Sequence, residues 1–254
     1  MTIIDKIAQR RMERTLRNAY GTNTNIERGL QGSLYIKSDA GAVQEWKING
    51  KSDFDKFIKR YDMSVVDETG KEVKYTMASR GSVETSKNVT MITPVYKDKF
   101  GRNWIVIQEE ARPIDVARRG KDARVLAFPA GIIGDEAAFQ SETALDSAVR
   151  ELSEETGLTA KKIKNLSPVM FKDGKKIPIP VMTSPGLTDE STYFFKATIN
   201  NIKPSTKAVT DGGVTRGWHF VPLKHIMSWL EEVGKLGKIP SGQTLSALAL
   251  LIRK

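Results

Sequence analysis

Apolar residues along this chain keep two different periods. Ile4, Ala8, Met12 and Leu16 recur every four residues, which predicts an amphipathic helix over residues 1–20. Gly21 to Gly32, rich in Gly, Asn and Thr, reads as a loop. A short strand follows at Ser33–Lys37, then a helix from Asp53 to Tyr61 capped at Ser52. Two hairpins come next: Ser64–Val66 and Val73–Met77 flank Asp67–Glu68–Thr69–Gly70, and Val89–Val95 and Trp104–Gln108 flank Lys97–Gly101. The apolar run Val125–Phe128 leads through Pro129–Ala130–Gly131 into a loop. A helix from about Glu142 to Thr156 ends at Gly157, a natural left-handed terminator. Leu145, Ala148, Val149 and Leu152 form its apolar face. Further strands are expected at Pro168–Phe171, Pro180–Thr183, Ser191–Ala197 and Thr215–Val221, and helices at Leu223–Val233 and Thr244–Leu251. This mixture predicts an α/β fold, a mixed sheet sandwiched between helices, with residues 1–61 as an N-terminal α+β extension.

Composition narrows the chemistry. The 254 residues include no cysteine and two histidines, His219 and His225. Disulfides, thiolate zinc sites, cysteine nucleophiles and a histidine-rich metal centre are therefore excluded. The longest apolar stretch, Leu245–Ile252, is far short of the roughly 20 residues that span a bilayer, so no membrane partner is expected. The first residues lack the apolar core of a secretory signal. Arg10, Arg11, Arg14 and Arg17 leave organellar targeting open, but Asp5 and Glu13 run against it, and a folded or partner-packing helix in a cytoplasmic protein is the expectation. A net charge of +10 attracts polyanions without saying which. No RNA-binding signature with interleaved aromatics is visible, so nucleic acid is an open but not a favoured partner.

The informative segment is Arg150–Glu151–Leu152–Ser153–Glu154–Glu155–Thr156–Gly157–Leu158. On a helix, positions i, i+3 and i+4 share a face, so Glu151, Glu154 and Glu155 cluster. Three like charges repel, and hard divalent cations with a preference for oxygen offset that cost. Arg150 stands four residues before Glu154, placed to orient a carboxylate through paired hydrogen bonds. A solvated acidic face is the bland alternative. The full pattern weighs against it: Glu142 precedes Arg150 with seven residues between, and the whole resembles the Nudix box, a glycine and a glutamate followed by Arg-Glu-aliphatic-x-Glu-Glu-x-Gly-aliphatic. One position departs. Glu136 stands where the upstream glycine belongs, and the nearest glycine, Gly134, implies a two-residue loop insertion.

The resemblance extends over residues 62–254. Phe128–Pro129–Ala130–Gly131, with Gln108 and Arg112 upstream and Ser184–Pro185–Gly186–Leu187–Thr188–Asp189–Glu190 downstream, is similar to the ADP-ribose (ADP-sugar) pyrophosphatase branch. That branch implies the Nudix fold and hydrolysis of the diphosphate of ADP-ribose, or of a related nucleoside diphosphate sugar, to AMP and a sugar phosphate. It implies two or three Mg2+ ions, with Mn2+ able to substitute. By resemblance, Ala130 through its carbonyl, Glu151 and Glu155 hold metal with Glu154 close by. Arg112 contacts the diphosphate, Arg80 lies near the adenine end, and Gly131 and Asp189 border the substrate. Glu190, on a loop, is the general base in some members, alongside Glu154 and Arg150 as catalytic groups. Relatives of this branch use strands ahead of the core to build a dimer, which implies a homodimer here.

A second departure lies after the box, where an extra basic segment, Phe171–Pro178, reads as a protruding hairpin. Three alternatives stay open. One is a Nudix hydrolase that processes RNA 5′ ends. Another is a different dinucleotide substrate such as NADH. The third is a non-enzymatic module that senses ADP-ribose.

Overall fold

The computed structural model describes residues 2–37, 59–66, 69–79, 88–120, 122–134, 139–184, 188–205 and 215–253. Helix α1 (Ile3–Tyr20) starts at Thr2, whose hydroxyl and backbone exchange hydrogen bonds with Asp5 in a capping box. Its inner face carries Ala8, Met12 and Leu16 as expected, but Ile4 is exposed and Asp5 and Gln9 are buried instead. A four-residue step overshoots one turn by about 40°, so the buried stripe drifts off the Ile4 position. Asp5 tolerates burial because Lys224 Nζ donates to it at 2.5 Å. That bond, with the Thr2 hydroxyl, holds its carboxyl well below the usual range.

The segment read as a loop contains β1 (Ile26–Arg28), paired antiparallel with β2 (Leu34–Lys37). A three-residue strand with one buried side chain has no periodicity to read, and the partner strand decides its conformation. Next come β3 (Lys59–Val66) and β4 (Glu72–Ser79), the first expected hairpin. The helix expected over 53–61 is corrected at its end, since residues 59–61 belong to β3, where they pair with β4. Its residues 53–58 lie outside the described residues, as do Ser52, Asp67, Glu68 and Arg80.

The main sheet is built from β5 (Val89–Lys97), β6 (Asn103–Glu110), β7 (Arg124–Ala127), β8 (Ala130–Ile132), β9 (Lys162–Asn165), β12 (Val181–Met182), β13 (Ser191–Ile199), β14 (Thr215–Pro222) and β15 (Lys238–Pro240), with β1 and β2. A short helix, α2 (Pro113–Arg119), joins β6 to β7, and α3 (Ala144–Thr156) follows β8. A separate hairpin, β10 (Val169–Lys172) and β11 (Lys175–Pro178), stands between β9 and β12. Helix α4 (Ile226–Lys235) precedes β15, and α5 (Gly242–Ile252) ends the chain. The sheet order is β1-β2-β14-β6-β5-β13-β12. It is mixed: β13 runs parallel to β5 and β15 parallel to β7, while the other pairs are antiparallel.

Alternation along β5, β6 and β13 sends side chains to opposite faces, and each face has its own core. Ile92, Trp104, Val106, Phe195, Ala197 and Phe220 meet Met12 and Leu16 of α1 and Ala148 and Leu152 of α3. Met91, Ile105, Ile107, Leu126, Phe128 and Phe194 meet Trp229 and Leu230 of α4 and Leu248 of α5. The result is the expected mixed sheet between two helix layers. The apolar face of α3 is narrower than expected: Ala148 and Leu152 are buried, whereas Leu145 and Val149 are each 46% exposed. The helix turns Ser147 and Glu151 inward beside them, so polar chemistry takes part of the face that the apolar pattern assigns to core.

Candidate active site

Helix α3 is pinned at both ends. Thr143 and Asp146 form a capping box at its start, and Gly157, at φ 69°, ends it in the left-handed conformation. Between these caps, Arg150 organises the carboxylates. Its Nε and Nη2 donate to the two oxygens of Glu142 at 3.2 and 3.0 Å. Its Nη1 donates to Glu151 at 2.7 Å and to Glu154 at 3.0 Å. The guanidinium also lies 4.7 Å from the centre of the Phe139 ring. Arg150 holds Glu142 below the usual carboxylate range, and its own pKa is raised chiefly by the Glu142 bond. Glu142 in turn accepts the backbone N–H of Gly134 at 2.9 Å. Gly134 has φ +65°, a left-handed conformation that glycine adopts freely. Glu136 lies outside the described residues.

Glu155 points into a different environment. Its Oε2 is buried and has no hydrogen-bond partner among the described residues. Burial first, and then the nearby Glu110 and Glu151 charges, push its carboxyl well above the usual range, while Gln108 and Arg112 act the other way. Glu110 is itself buried and paired with Arg112 Nε at 2.6 Å. An orphaned carboxylate oxygen facing two further carboxylates is a site short of positive charge, and its donors are all hard oxygens. That set fits a divalent cation of the magnesium type. Among the described residues no three acidic or histidine side chains already converge as a ready ligand set. Glu151 is held by Arg150 at 2.7 Å.

Strand β8 brings the other half of the site alongside. Ala130 and Gly131 pair with Met91 and Thr90 of β5. The Glu151 carboxylate packs so closely over Gly131 that a Cβ there would lie 1.8 Å from its Oε1. Ala130 and Gly131 also line a pocket of about 240 Å³ with Arg112, Phe128, Glu190, Ser241 and Gln243. Gln243 Nε2 donates to Glu190 at 3.0 Å and to Thr192 Oγ1 at 3.2 Å.

Of the residues singled out in the sequence, Ala130, Gly131, Arg112 and Glu190 therefore share one pocket, with Glu151 seated on its Gly131 wall. Glu155 lies behind, beside Arg112 and Glu110. Glu154 is the outlying member, its side chain 44% exposed against 9% for Glu151. Asp189 is turned elsewhere and accepts a 2.6 Å hydrogen bond from Ser79 Oγ of β4. Arg80 lies outside the described residues. Sequence reasoning missed Glu110 and Gln243. The signal for Glu110 was present: acids at the buried end of an otherwise apolar strand, Trp104–Glu110. Gln243, in the first turn of α5, carried none.

The NUDIX domain family matches residues 91–239, more than half of the chain. Among solved structures, an ADP compounds hydrolase is similar at 18% identity, with 80% of this chain and 88% of that chain covered and a TM-score of 0.55. The NUDIX domain of Shewanella oneidensis NrtR, complexed with ADP ribose, matches at 9% identity over 65% of this chain and 84% of that chain, with a TM-score of 0.40. A C. elegans Ap4A hydrolase matches at 15% identity over 64% of this chain and 97% of that chain, with a TM-score of 0.35. No curated protein matches the chain.

Proposed function

Because the chain belongs to the NUDIX family and is a hydrolase of diphosphate bonds, we propose that its substrate is ADP-ribose or a related nucleoside diphosphate sugar, cleaved to AMP and a sugar phosphate. The observation that carries this reading is that Arg112, Glu190 and the Ala130–Gly131 strand line one pocket, with Glu151 packed directly on Gly131. We assign the Ala130 carbonyl, Glu151 and Glu155 as the residues that hold Mg2+, with Glu154 beside them. A divalent ion held by these residues would supply charge to offset that on the phosphoryl oxygens and would lower the pKa of a bound water.

The chain's own residues do the rest. Arg112, half exposed at the pocket edge and anchored by Glu110, presents its guanidinium to the diphosphate. Glu190, held by Gln243 at the pocket wall, accepts the proton of the attacking water. Arg150 fixes Glu142, Glu151 and Glu154 and keeps like charges from splaying apart. Glu154, open to solvent, is the alternative acceptor of that proton. We assign residues 62–254 as the hydrolase domain and residues 1–61 as an extension that helps form a homodimer.

The test is phosphate-product release from a panel of nucleoside diphosphate sugars, dinucleotides and 5′-capped RNA, with and without magnesium. Magnesium-dependent AMP from ADP-ribose supports the assignment. Turnover confined to capped RNA or to another dinucleotide replaces it.

A further inference from the structure

The β10–β11 hairpin and the strand before it carry charge that the fold does not balance. From Lys161 to Met182 the chain has six lysines and one acid, Asp173, a surplus equal to half of the net charge of +10. The register sets like charges against each other. Lys172 faces Lys175 across the hairpin, and Lys164 of β9 faces Lys196 of β13. Directly opposed like charges destabilise a sheet. Among the described residues none of these lysines has a carboxylate partner. The hairpin is firmly rooted: Ile179 N–H bonds to Pro168 O at 2.9 Å, and the Ser167 hydroxyl and the Phe194 N–H meet at 2.7 Å. All eight residues of its two strands are exposed.

Its apolar side chains sit in the middle and its charges at the tip. Phe171 is 69% exposed, the Lys176 ammonium lies 5.6 Å from its ring centre, and Met170 pairs with Ile177 beside it. The tip itself is Lys172–Asp173–Gly174–Lys175, a tight turn with positive φ at Asp173 and Gly174. A membrane-inserting hairpin places its apolar residues at the tip, so this order argues against a lipid surface. Alternating phosphates and planar bases match it better, since lysines meet the backbone and an exposed ring offers a stacking platform.

We propose that this ribbon, continued by Lys162, Lys164 and Lys196, is a docking surface for single-stranded nucleic acid, separate from the diphosphate pocket. Chain connectivity runs from the ribbon through β12 directly into the loop that carries Glu190.

The test is fluorescence anisotropy with a labelled, mixed-sequence single-stranded RNA of about 15 nucleotides, titrated at several salt concentrations on the full chain. Binding is expected to weaken linearly in log–log salt. The combined Lys172→Glu, Lys175→Glu and Lys176→Glu variant should flatten that slope by about 2, at about 0.7 per lost phosphate contact. Phe171→Ala should weaken binding about tenfold, and Phe171→Tyr should restore it. None of these variants touches the pocket, so hydrolysis by all three should match the parent. The binding readout needs no turnover, which separates this proposal from the substrate assignment. Absence of salt-dependent binding, equal binding by all variants, or binding only to phosphatidylserine vesicles overturns it.

Discussion

The carboxylate of Glu151 occupies the space that a side chain on Gly131 would need, with Oε1 1.8 Å from the site of a Cβ. Glycine is needed at this position to admit a close approach, since its backbone lies in an ordinary extended strand. Gly131→Ala therefore leaves β8 able to pair with β5 but pushes Glu151 off the strand. The end of a flexible side chain can yield, so the melting temperature should change by only a few degrees. The displaced carboxylate should lower kcat about 100-fold, as ångström-scale misplacement does at a catalytic centre. Steady-state kinetics beside a thermal melt checks both halves, and unchanged kcat removes Glu151 from the proposed metal site.

Glu155 is a functional liability to the fold. Burial and the facing Glu110 and Glu151 charges raise its pKa, which is to say that its ionised form is disfavoured in the folded protein. Glu155→Gln relieves that cost while deleting a proposed ligand. In metal-free buffer the variant should melt about 2–4 °C above the parent. Its turnover should fall about 10²–10³-fold, the scale of losing one electrostatic stabiliser. Magnesium should raise the parent's melting temperature and leave the variant's nearly unmoved. Glu154→Gln tests the exposed member of the set and should abolish turnover with the fold intact.

The helical half of this site was legible in the sequence because its contacts are local. Arg150, Glu151, Glu154 and Glu155 lie within two turns of one helix, and helical geometry alone places their Cβ atoms. The pairing of Arg150 with Glu142 was not legible in this way, because Glu142 lies ahead of the helix, which begins at Ala144. Contacts formed by strand packing were less accessible. The Gly131 cradle depends on how β8 lies under α3. The Gln243 bond to Glu190 joins residues 53 positions apart. Local pattern also misread Leu145 and Val149, because hydrophobicity says which residues prefer burial and not which face the sheet leaves free. The main strands and helices were legible where their period ran long, as in β5, β6, β13, β14 and α3. The three-residue strands β1, β8 and β15 were not, since each owes its conformation to the strand it pairs with.

Gln243 supplies a prediction that the sequence did not. Its amide N–H holds Glu190 Oε1 in the pocket. Gln243→Ala should leave Glu190 present but without this one hydrogen bond, lowering kcat about tenfold with a smaller change in KM. Glu190→Gln should lower kcat far more, because it removes the proposed base itself. In the double variant the Gln243 effect should vanish, since a positioning residue has nothing left to position. Additive losses in the double variant would show that Gln243 acts on substrate directly.

On the opposite face of β6, Glu109 and His219 form a buried pair with Nε2 and Oε2 2.6 Å apart. Lys238 donates to the same oxygen at 2.7 Å, and Tyr35 stacks on the imidazole at 4.5 Å. Burial pushes the Glu109 carboxyl up, but the bonds and charges of His219 and Lys238 pull it down further, to about 2. Burial lowers His219 below its ordinary value against the pull of Glu109, and in either protonation state an Nε2–H can donate to the ionised carboxylate. Both folded pKa values are depressed, and both groups therefore stabilise the fold above their unfolded values and lose that contribution as pH falls. The His219 contribution begins to fade below pH 6.5, and that of Glu109 fades between 4.5 and about 2. Melting temperature should accordingly decline gently from pH 6.5 and steeply below 4.5. Glu109→Gln should lower it by about 5–15 °C at neutral pH, because a buried pair has lost one partner. The same variant should flatten the decline below pH 4.5, since the group that titrates there is gone. A parent melting curve that is level from pH 6.5 to 3 would mean that neither group's pKa differs between the folded and the unfolded protein.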